Sequence, residues 1–421
     1  MGSTRYARRP RPPAPAAAAA PCLLLALGLA ACTGGDPEAT PARTVASTPT
    51  APPESADEPT APSASAEEPT GPSRPTRAST PAGAPDGPRT DPETGGGADP
   101  NAEPGTERAV TLTVVGDIML GRGVADVARA AGDPSAPLRP MSARLARADI
   151  TVGNLESTLS DDGAPRQGDD SFTAPPAVLD GLRDAGFDVL GLANNHTGDF
   201  GMPALVETVR RVRASGIVPL GAGRDRRAAW RPVVLERGGV RVGFLGFNAI
   251  GETYRAKPES PGAASLRMDP RTGPLRAAEL RRVQDRVRTL ADRADVVVVL
   301  PHWGDQYTHQ PVPDQRRVGR ALLDAGATVV VGGHPHWVQD VQAHRGRFVV
   351  HSLGNFVFDM DFMQQTQEGV VLDLTFRAGD LVRAGATPYV IGDDYAPRPV
   401  GGSSGRDILG NMDGLARLPL G

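Results

Sequence analysis

From residue 109 onward, short apolar or β-branched runs alternate with longer stretches in which apolar residues recur at helical spacing. Residues 111–115 (TLTVV), 150–152, 187–192, 217–220, 240–247, 296–300, 328–331 and 348–350 have the length and composition of buried strands. Between them, residues 177–185, 203–214, 275–293 and 314–325 carry charge on one face and end near Gly or Asp, which predicts amphipathic helices. Strands that alternate with helices imply an α/β fold. Residues 232–236, the pair Gly238-Gly239 and residues 240–247 read as a hairpin, so the sheets are expected to be mixed.

The N-terminal part has a different pattern. Arg5, Arg8, Arg9 and Arg11 precede an apolar stretch over 23–29 and then small residues, the layout of a secretory leader. The stretch is too short to span a bilayer as a permanent helix. Its end, Leu29-Ala30-Ala31-Cys32, resembles a bacterial lipobox, in which cleavage before the cysteine leaves that residue N-terminal and lipid-bearing. A lipoprotein signal peptide is therefore expected over 1–31, with Cys32 as the lipidation site. From 33 to 108 there is no Phe, Trp or Tyr, and Pro, Thr, Ala and Glu dominate. Such a segment cannot bury enough apolar surface to offset its ordering entropy. Residues 32–108 are expected to be a disordered tether with a reach on the order of 50 Å. Leader, anchor and tether place the remaining domain, 109–421, at the extracytoplasmic face of the cell membrane.

Composition narrows the chemistry. A formal net charge of −4 over 421 residues gives no global positive field, so nucleic acid is not an expected partner. The two cysteines, Cys22 and Cys32, both precede the domain. Any metal in the domain must then be held by His, Asp, Glu or Asn.

Candidate ligands follow five of the predicted strands. They are Asp117 in Gly116-Asp117, Glu156 in Gly153-Asn154-Leu155-Glu156, Asn194-Asn195-His196, His302 in Pro301-His302-Trp303, and the pair His334 and His336 after Gly332-Gly333. Ligands of open α/β sheets collect at the carboxyl ends of strands. Each piece alone could be a turn, a cap or a satisfied core residue. Five at equivalent strand ends point to a metal site. Only seven histidines exist in the chain, and an extended His334-x-His336 segment would turn both imidazoles to one face.

The runs Gly116-Asp117-Ile118-Met119-Leu120-Gly121-Arg122, Gly153-Asn154-Leu155-Glu156, Leu192-Ala193-Asn194-Asn195-His196, Pro301-His302-Trp303-Gly304-Asp305-Gln306-Tyr307, Gly333-His334-Pro335-His336 and Ser352-Leu353-Gly354-Asn355-Phe356 resemble the CapA family of capsule or poly-γ-glutamate synthesis proteins. The resemblance covers roughly 110–365. It implies a metallophosphatase-like αββα sandwich of mixed sheets, similar to the calcineurin-like metallophosphoesterases. By that resemblance, Asp117, Glu156, Asn195, His302, His334 and His336 would ligate one or two divalent ions (Mn, Fe or Zn), with Glu156 bridging. His196 would be the general acid or the group that polarises a scissile phosphoryl oxygen. Met119 stands where the superfamily's first motif has a histidine, and Thr197 where an acid that orients the histidine is common. One metal position thus lacks an imidazole, and His196 is left to lean on Asp199 or another partner. The more complete position would use Glu156, Asn195, His302 and His334.

Lesser features carry simpler expectations. His351 is expected to pack or to support the site, Gly354-Asn355 to shape a loop near the cleft and touch substrate, and His309 and His344 to lie at the surface. Trp303 and Trp337 would either wall the cleft or pack. Two function classes remain. One is a metal-dependent hydrolase or transferase acting on a phosphoester or a γ-glutamyl amide, with an anionic polymer or phosphoester as substrate. The other is a non-catalytic accessory or polymer-binding subunit of a capsule synthesis or export complex.

Overall fold

Two valine-rich runs, one starting at Val110 and one at Val296, become the central strands of two sheets. The computed structural model describes residues 109–418, so the expected leader, Cys32 and the 32–108 tether lie outside the described residues. In chain order come β1 (Val110–Ile118), α1 (Arg122–Ala130), α2 (Arg139–Leu145), β2 (Ile150–Leu155), α3 (Val178–Asp184), β3 (Val189–Gly191), α4 (Met202–Ala214) and β4 (Val218–Leu220). Next are β5 (Ala222–Gly223), α5 (Arg226–Ala229), β6 (Val233–Arg237), β7 (Val240–Asn248), β8 (Gly262–Ala263), α6 (Ala277–Ala291), β9 (Val296–His302), α7 (Pro313–Asp324) and β10 (Val329–Val331). The last are β11 (Val341–His344), β12 (Arg347–Val350), β13 (Asn355–Val357), β14 (Glu368–Arg377), β15 (Asp380–Ile391), β16 (Pro397–Pro399) and α8 (Gly402–Gly410).

The first sheet runs β16-β15-β14-β1-β2-β3-β4, with β13 also on β1, and the second runs β11-β12-β10-β9-β7-β6. β1 to β4 are mutually parallel, as are β7, β9, β10 and β12, while the remaining neighbours of the two main paths pair antiparallel. The expected hairpin is β6–β7.

Strand alternation makes the layers. Leu112, Val114, Ile150 and Val152 of the first sheet share one buried cluster with Val242, Phe244, Val296 and Val298 of the second. The opposite side chains of the first sheet, Val115 and Ile118, pack with Leu182, Leu205 and Val209 of α3 and α4. Those of the second, Val297 and Val299, pack with Val283 and Val287 of α6 and Val318 and Leu322 of α7. The result is the αββα sandwich of mixed sheets. Burial on both faces is why these strands read as unbroken apolar runs.

Three boundaries differ from the sequence pattern. The strand predicted over 187–192 shortens to Val189–Gly191, because Phe187 N donates to Leu182 O and finishes the turn after α3. β1 continues past residue 115 to Ile118, so Asp117 lies within the strand rather than after it. Residues 368–391, absent from the predicted strands, form the long hairpin β14–β15, and β14 pairs antiparallel with β1.

Between Val114 and Asp117 the register of β1 on β2 shifts, and Asp117 N donates to Gly354 O at 3.1 Å. A Cβ on Gly116 would sit 1.9 Å from that same carbonyl oxygen. Gly116→Ala must therefore push two backbones apart. It is expected to cost about 1–3 kcal/mol and to lower the Tm by several degrees in a thermal melt. An unchanged Tm would show that the two segments are less tightly apposed.

Candidate metal centre

Because β1, β2 and β3 are parallel in one sheet and β9 and β10 in the other, their carboxyl ends meet at one end of the sandwich. Glu156 directly follows β2, Asn194 to His196 follow β3, His302 is the last residue of β9, and His334 and His336 follow β10. Asp117, Glu156, His334 and His336 are fully buried, and Asn195, His196 and His302 are at most 5% exposed. The sheets touch directly here. His302 Nε2 lies 2.8 Å from Asn195 Oδ1 and 3.2 Å from Glu156 Oε1, and the backbone N–H of His334 donates to Asp117 Oδ2 at 3.0 Å.

Glu156 and one nitrogen each of His334 and His336 can present ligand atoms within 4.8 Å of one another. Both Glu156 oxygens, both His334 ring nitrogens and His336 Nε2 are buried without a hydrogen-bond partner. Each such atom costs about 1–3 kcal/mol if left unsatisfied. A cation would relieve that cost, and a mixed carboxylate, amide and imidazole set suits Mn, Fe or Zn. The donor set therefore fits a divalent ion. Glu156 lies beside His302, which also approaches Asn195 and whose ring is 5.0 Å from that of His334. Asp117 reaches the site with both oxygens already accepting, one from Asn154 Nδ2 at 2.8 Å and one from the His334 amide. It stands 3.8 Å from His336 Nδ1 and also braces the turn that carries the histidine pair. Met119, where the superfamily motif has an imidazole, is fully buried, and its sulfur accepts from Gly121 N at 3.1 Å.

The histidine pair is presented differently from the extended segment considered above. His334 and His336 both adopt left-handed backbone, at φ 97° and 58°. The turn, not strand alternation, brings their rings to 5.9 Å. Non-glycine residues in this region store on the order of 1–3 kcal/mol of strain each, and such strain concentrates at functional sites.

Supporting residues fix the ring orientations. His196 Nδ1 lies 2.8 Å from Asp199 Oδ2, while its Nε2 faces Glu156 Oε1 at 3.9 Å. Asp199 is held by the Phe172 amide at 2.7 Å, and the Phe172 ring stacks on His196 at 3.8 Å between centroids. Asn355 Oδ1 lies 2.8 Å from His336 Nδ1, and the residue is fully buried. It orients a histidine of the site. Asn154 and Asn194, which sequence reasoning noted only as parts of motifs, link the ligands. Asn194 Nδ2 donates to Asn154 Oδ1 at 3.0 Å, and its own Oδ1 accepts from the amides of His196 and Thr197. The signal for both was their place beside a candidate ligand.

The remaining aromatic and histidine expectations divide. Trp303 is fully buried in the core of the second sheet, and His351 is buried with its carbonyl accepting from the Trp303 indole at 3.0 Å. Trp337 is half-buried and lies tilted against Tyr307 and His309. His309 and His344 are half-buried, not exposed, since each is tied down, to Val338 O at 2.7 Å and to Asp324 at 2.8 Å respectively.

Burial first, and the Asp117 charge second, push Glu156 up to about 8. Burial lowers His302 to about 4 and holds His334 well below the usual histidine range. At pH 7 the metal-free protein thus carries a protonated Glu156 beside neutral His302 and His334. A ligating carboxylate must lose its proton, so loading metal at pH 7 is expected to release about one proton per protein molecule. Affinity should rise with pH up to about 8 and then level off. Calorimetry in buffers of different ionisation enthalpy reads this directly. No proton release at pH 7 would mean that Glu156 is already ionised.

Residues 111–360 match the profile of the family described as bacterial capsule synthesis protein PGA_cap. The chain is 31% identical over 296 residues to capsule biosynthesis protein CapA of Bacillus anthracis, covering 69% of each chain. It is 29% identical over 305 residues to PGA biosynthesis protein CapA of Bacillus subtilis (strain 168), covering 72% of this chain and 76% of that one. A hypothetical protein from Thermus thermophilus, of solved structure, superposes with a TM-score of 0.42 at 17% identity, over 67% of this chain and 99% of that one.

Proposed function

We propose a metal-dependent hydrolase or transferase of capsule or poly-γ-glutamate biosynthesis for this chain, which belongs to the PGA_cap family of bacterial capsule synthesis proteins. The observation that carries the reading is the convergence of unpartnered, buried Glu156, His334 and His336 atoms beside the His196–Asp199 pair. When bound, a divalent ion supplies Lewis-acid polarisation of a phosphoryl or carbonyl oxygen and a water of lowered pKa. The chain supplies the rest. Asp199 at Nδ1 fixes the His196 ring so that Nε2 faces the site, where it can hand a proton to a leaving oxygen or nitrogen. Phe172 stacked on the ring holds it in that plane.

The test combines metal analysis of the purified chain with a panel of phosphoester and γ-glutamyl substrates. The expected result is one or two bound ions and chelator-sensitive turnover of at least one substrate. Bound metal with no turnover, together with normal polymer formation in His196→Ala cells, would favour a non-catalytic accessory subunit of a capsule synthesis or export complex. A chain that binds no metal would remove the enzyme reading.

The proposal includes membrane attachment at the extracytoplasmic face through lipid on Cys32, supported by the Leu-Ala-Ala-Cys sequence after an apolar leader. Cys32→Ala is expected to move the protein from the membrane to the soluble exported fraction on cell fractionation. Recovery of unlipidated wild-type protein in that soluble fraction would refute the anchor.

A further inference from the structure

The loop between β9 and α7 is tied to the turn that carries the histidine pair. Tyr307 N donates to Pro335 O, between the two histidines, at 3.0 Å. One residue on, Thr308 O accepts from Nε2 of the fully buried Gln339 at 2.9 Å, and His309 Nδ1 lies 2.7 Å from Val338 O. The Tyr307 backbone is thereby fixed relative to His334 and His336. It sits at φ 58°, in the left-handed region that a bulky aromatic residue disfavours, as do the two histidines.

The side chain lies against the same site. Its ring is 6.2 Å from that of His336 with the planes 28° apart, and Phe362 meets its edge at 5.7 Å. The residue is half-buried, and its hydroxyl has no hydrogen-bond partner among the described residues. Burial first, and then the charges of Asp170 and Glu156, hold the phenol above the usual tyrosine range, against the charge of Arg122. A hydroxyl that the Glu156 charge reaches stands beside the metal centre, and at pH 7 it carries its proton.

We propose that the Tyr307 hydroxyl donates a hydrogen bond to a substrate oxyanion seated at the metal centre. The proposal rests on the hydrolase or transferase reading of the site and adds a residue to it. Negative charge builds on oxygen whether the reacting group is a phosphoryl or an amide carbonyl, whose attacked carbon becomes tetrahedral. A donor already in place interacts more strongly as that charge grows and needs no reorganisation. The phenol keeps its proton and forms no covalent bond, so its part differs from that of His196, which hands a proton over. The ring alone is sufficient for packing against His336 and Phe362, and Tyr307→Phe therefore isolates the hydroxyl.

The test is calorimetric titration of inorganic phosphate, a stable tetrahedral oxyanion, into the metal-loaded full chain and into Tyr307→Phe. Metal content and Tm are measured on both. Tyr307→Phe is expected to hold the same metal and melt at the same temperature, and to bind phosphate about tenfold more weakly or worse, because a hydrogen bond to a charged acceptor is lost. On any substrate that the wild type turns over, its kcat should fall by about 10²–10³-fold with a smaller change in KM. The proposal is overturned if Tyr307→Phe binds phosphate within twofold of wild type, or if the metal-loaded wild type takes up none. Loss of metal from Tyr307→Phe would also overturn it, since the hydroxyl would then serve the ion. Phosphate binding that depends on the hydroxyl, without turnover of any substrate, removes the enzyme reading and leaves this one standing. Turnover with phosphate binding that Tyr307→Phe leaves unchanged does the reverse.

Discussion

His196→Ala is expected to lower turnover by about 10²–10⁴-fold while leaving the metal content unchanged. The ring's Nδ1 is committed to Asp199 at 2.8 Å, so only Nε2 is available to a reacting group, and it sits 3.9 Å from Glu156 Oε1. Removing the ring also removes its stack on Phe172, and the truncation therefore costs some stability. Asp199 is not stranded by this change, because the Phe172 amide and Gln167 Nε2 still donate to its carboxylate. Asp199→Asn separates positioning from chemistry. It keeps the shape but weakens the hold on the tautomer, and is expected to lower kcat with little change in KM. Equal metal content, a fold intact by thermal melt and full activity in His196→Ala would remove this residue from the chemistry.

The second large effect is at His334. Deleting its imidazole is expected to reduce bound metal from one or two equivalents to less than about a tenth, since an incomplete shell loses most of its affinity. The choice of replacement matters because His334 sits at φ 97°, where a Cβ is strained. His334→Gly removes the ligand and the strain together, and the backbone N–H that donates to Asp117 is retained. The metal-free variant should therefore melt no lower than the metal-free wild type. His334→Ala keeps the strain and should melt lower than the glycine variant. Metal analysis and melts of the stripped proteins distinguish ligand loss from misfolding. Retention of metal by the glycine variant would place the ion elsewhere.

Both predictions concern residues visible as types in the sequence, yet their roles were legible to different degrees. Strand-length apolar runs such as Val296 to Leu300 mark strands buried on both faces, which must be apolar at every position, whereas the sandwich was implied only by the family resemblance. The hairpin β14–β15 was missed although Leu372, Leu374 and Phe376 alternate with Asp373, Thr375 and Arg377. It carries no motif, and its place beside β1 depends on pairing across a separation of more than 250 residues. For the site, oxygen and imidazole donors at successive strand ends marked Glu156, Asn195, His302, His334 and His336 as candidates before any coordinates. That Asn355 meets His336 was not legible, because nothing local shows a contact nineteen positions away.

What the sequence determined by itself is whatever depends on local pattern: the α/β alternation, the candidate ligands and the composition break near residue 109. Pairwise geometry belongs to the tertiary structure. Only there does His196 turn Nδ1 to Asp199, do both oxygens of Asp117 accept from Asn154 and the His334 amide, and do the ends of two sheets bring His302 against Asn195. The physical reason is that periodicity fixes which face a side chain takes on its own element, within a few residues. Distances between elements are set by how the two sheets pack through their shared core and by backbone turns such as the left-handed pair at His334 and His336.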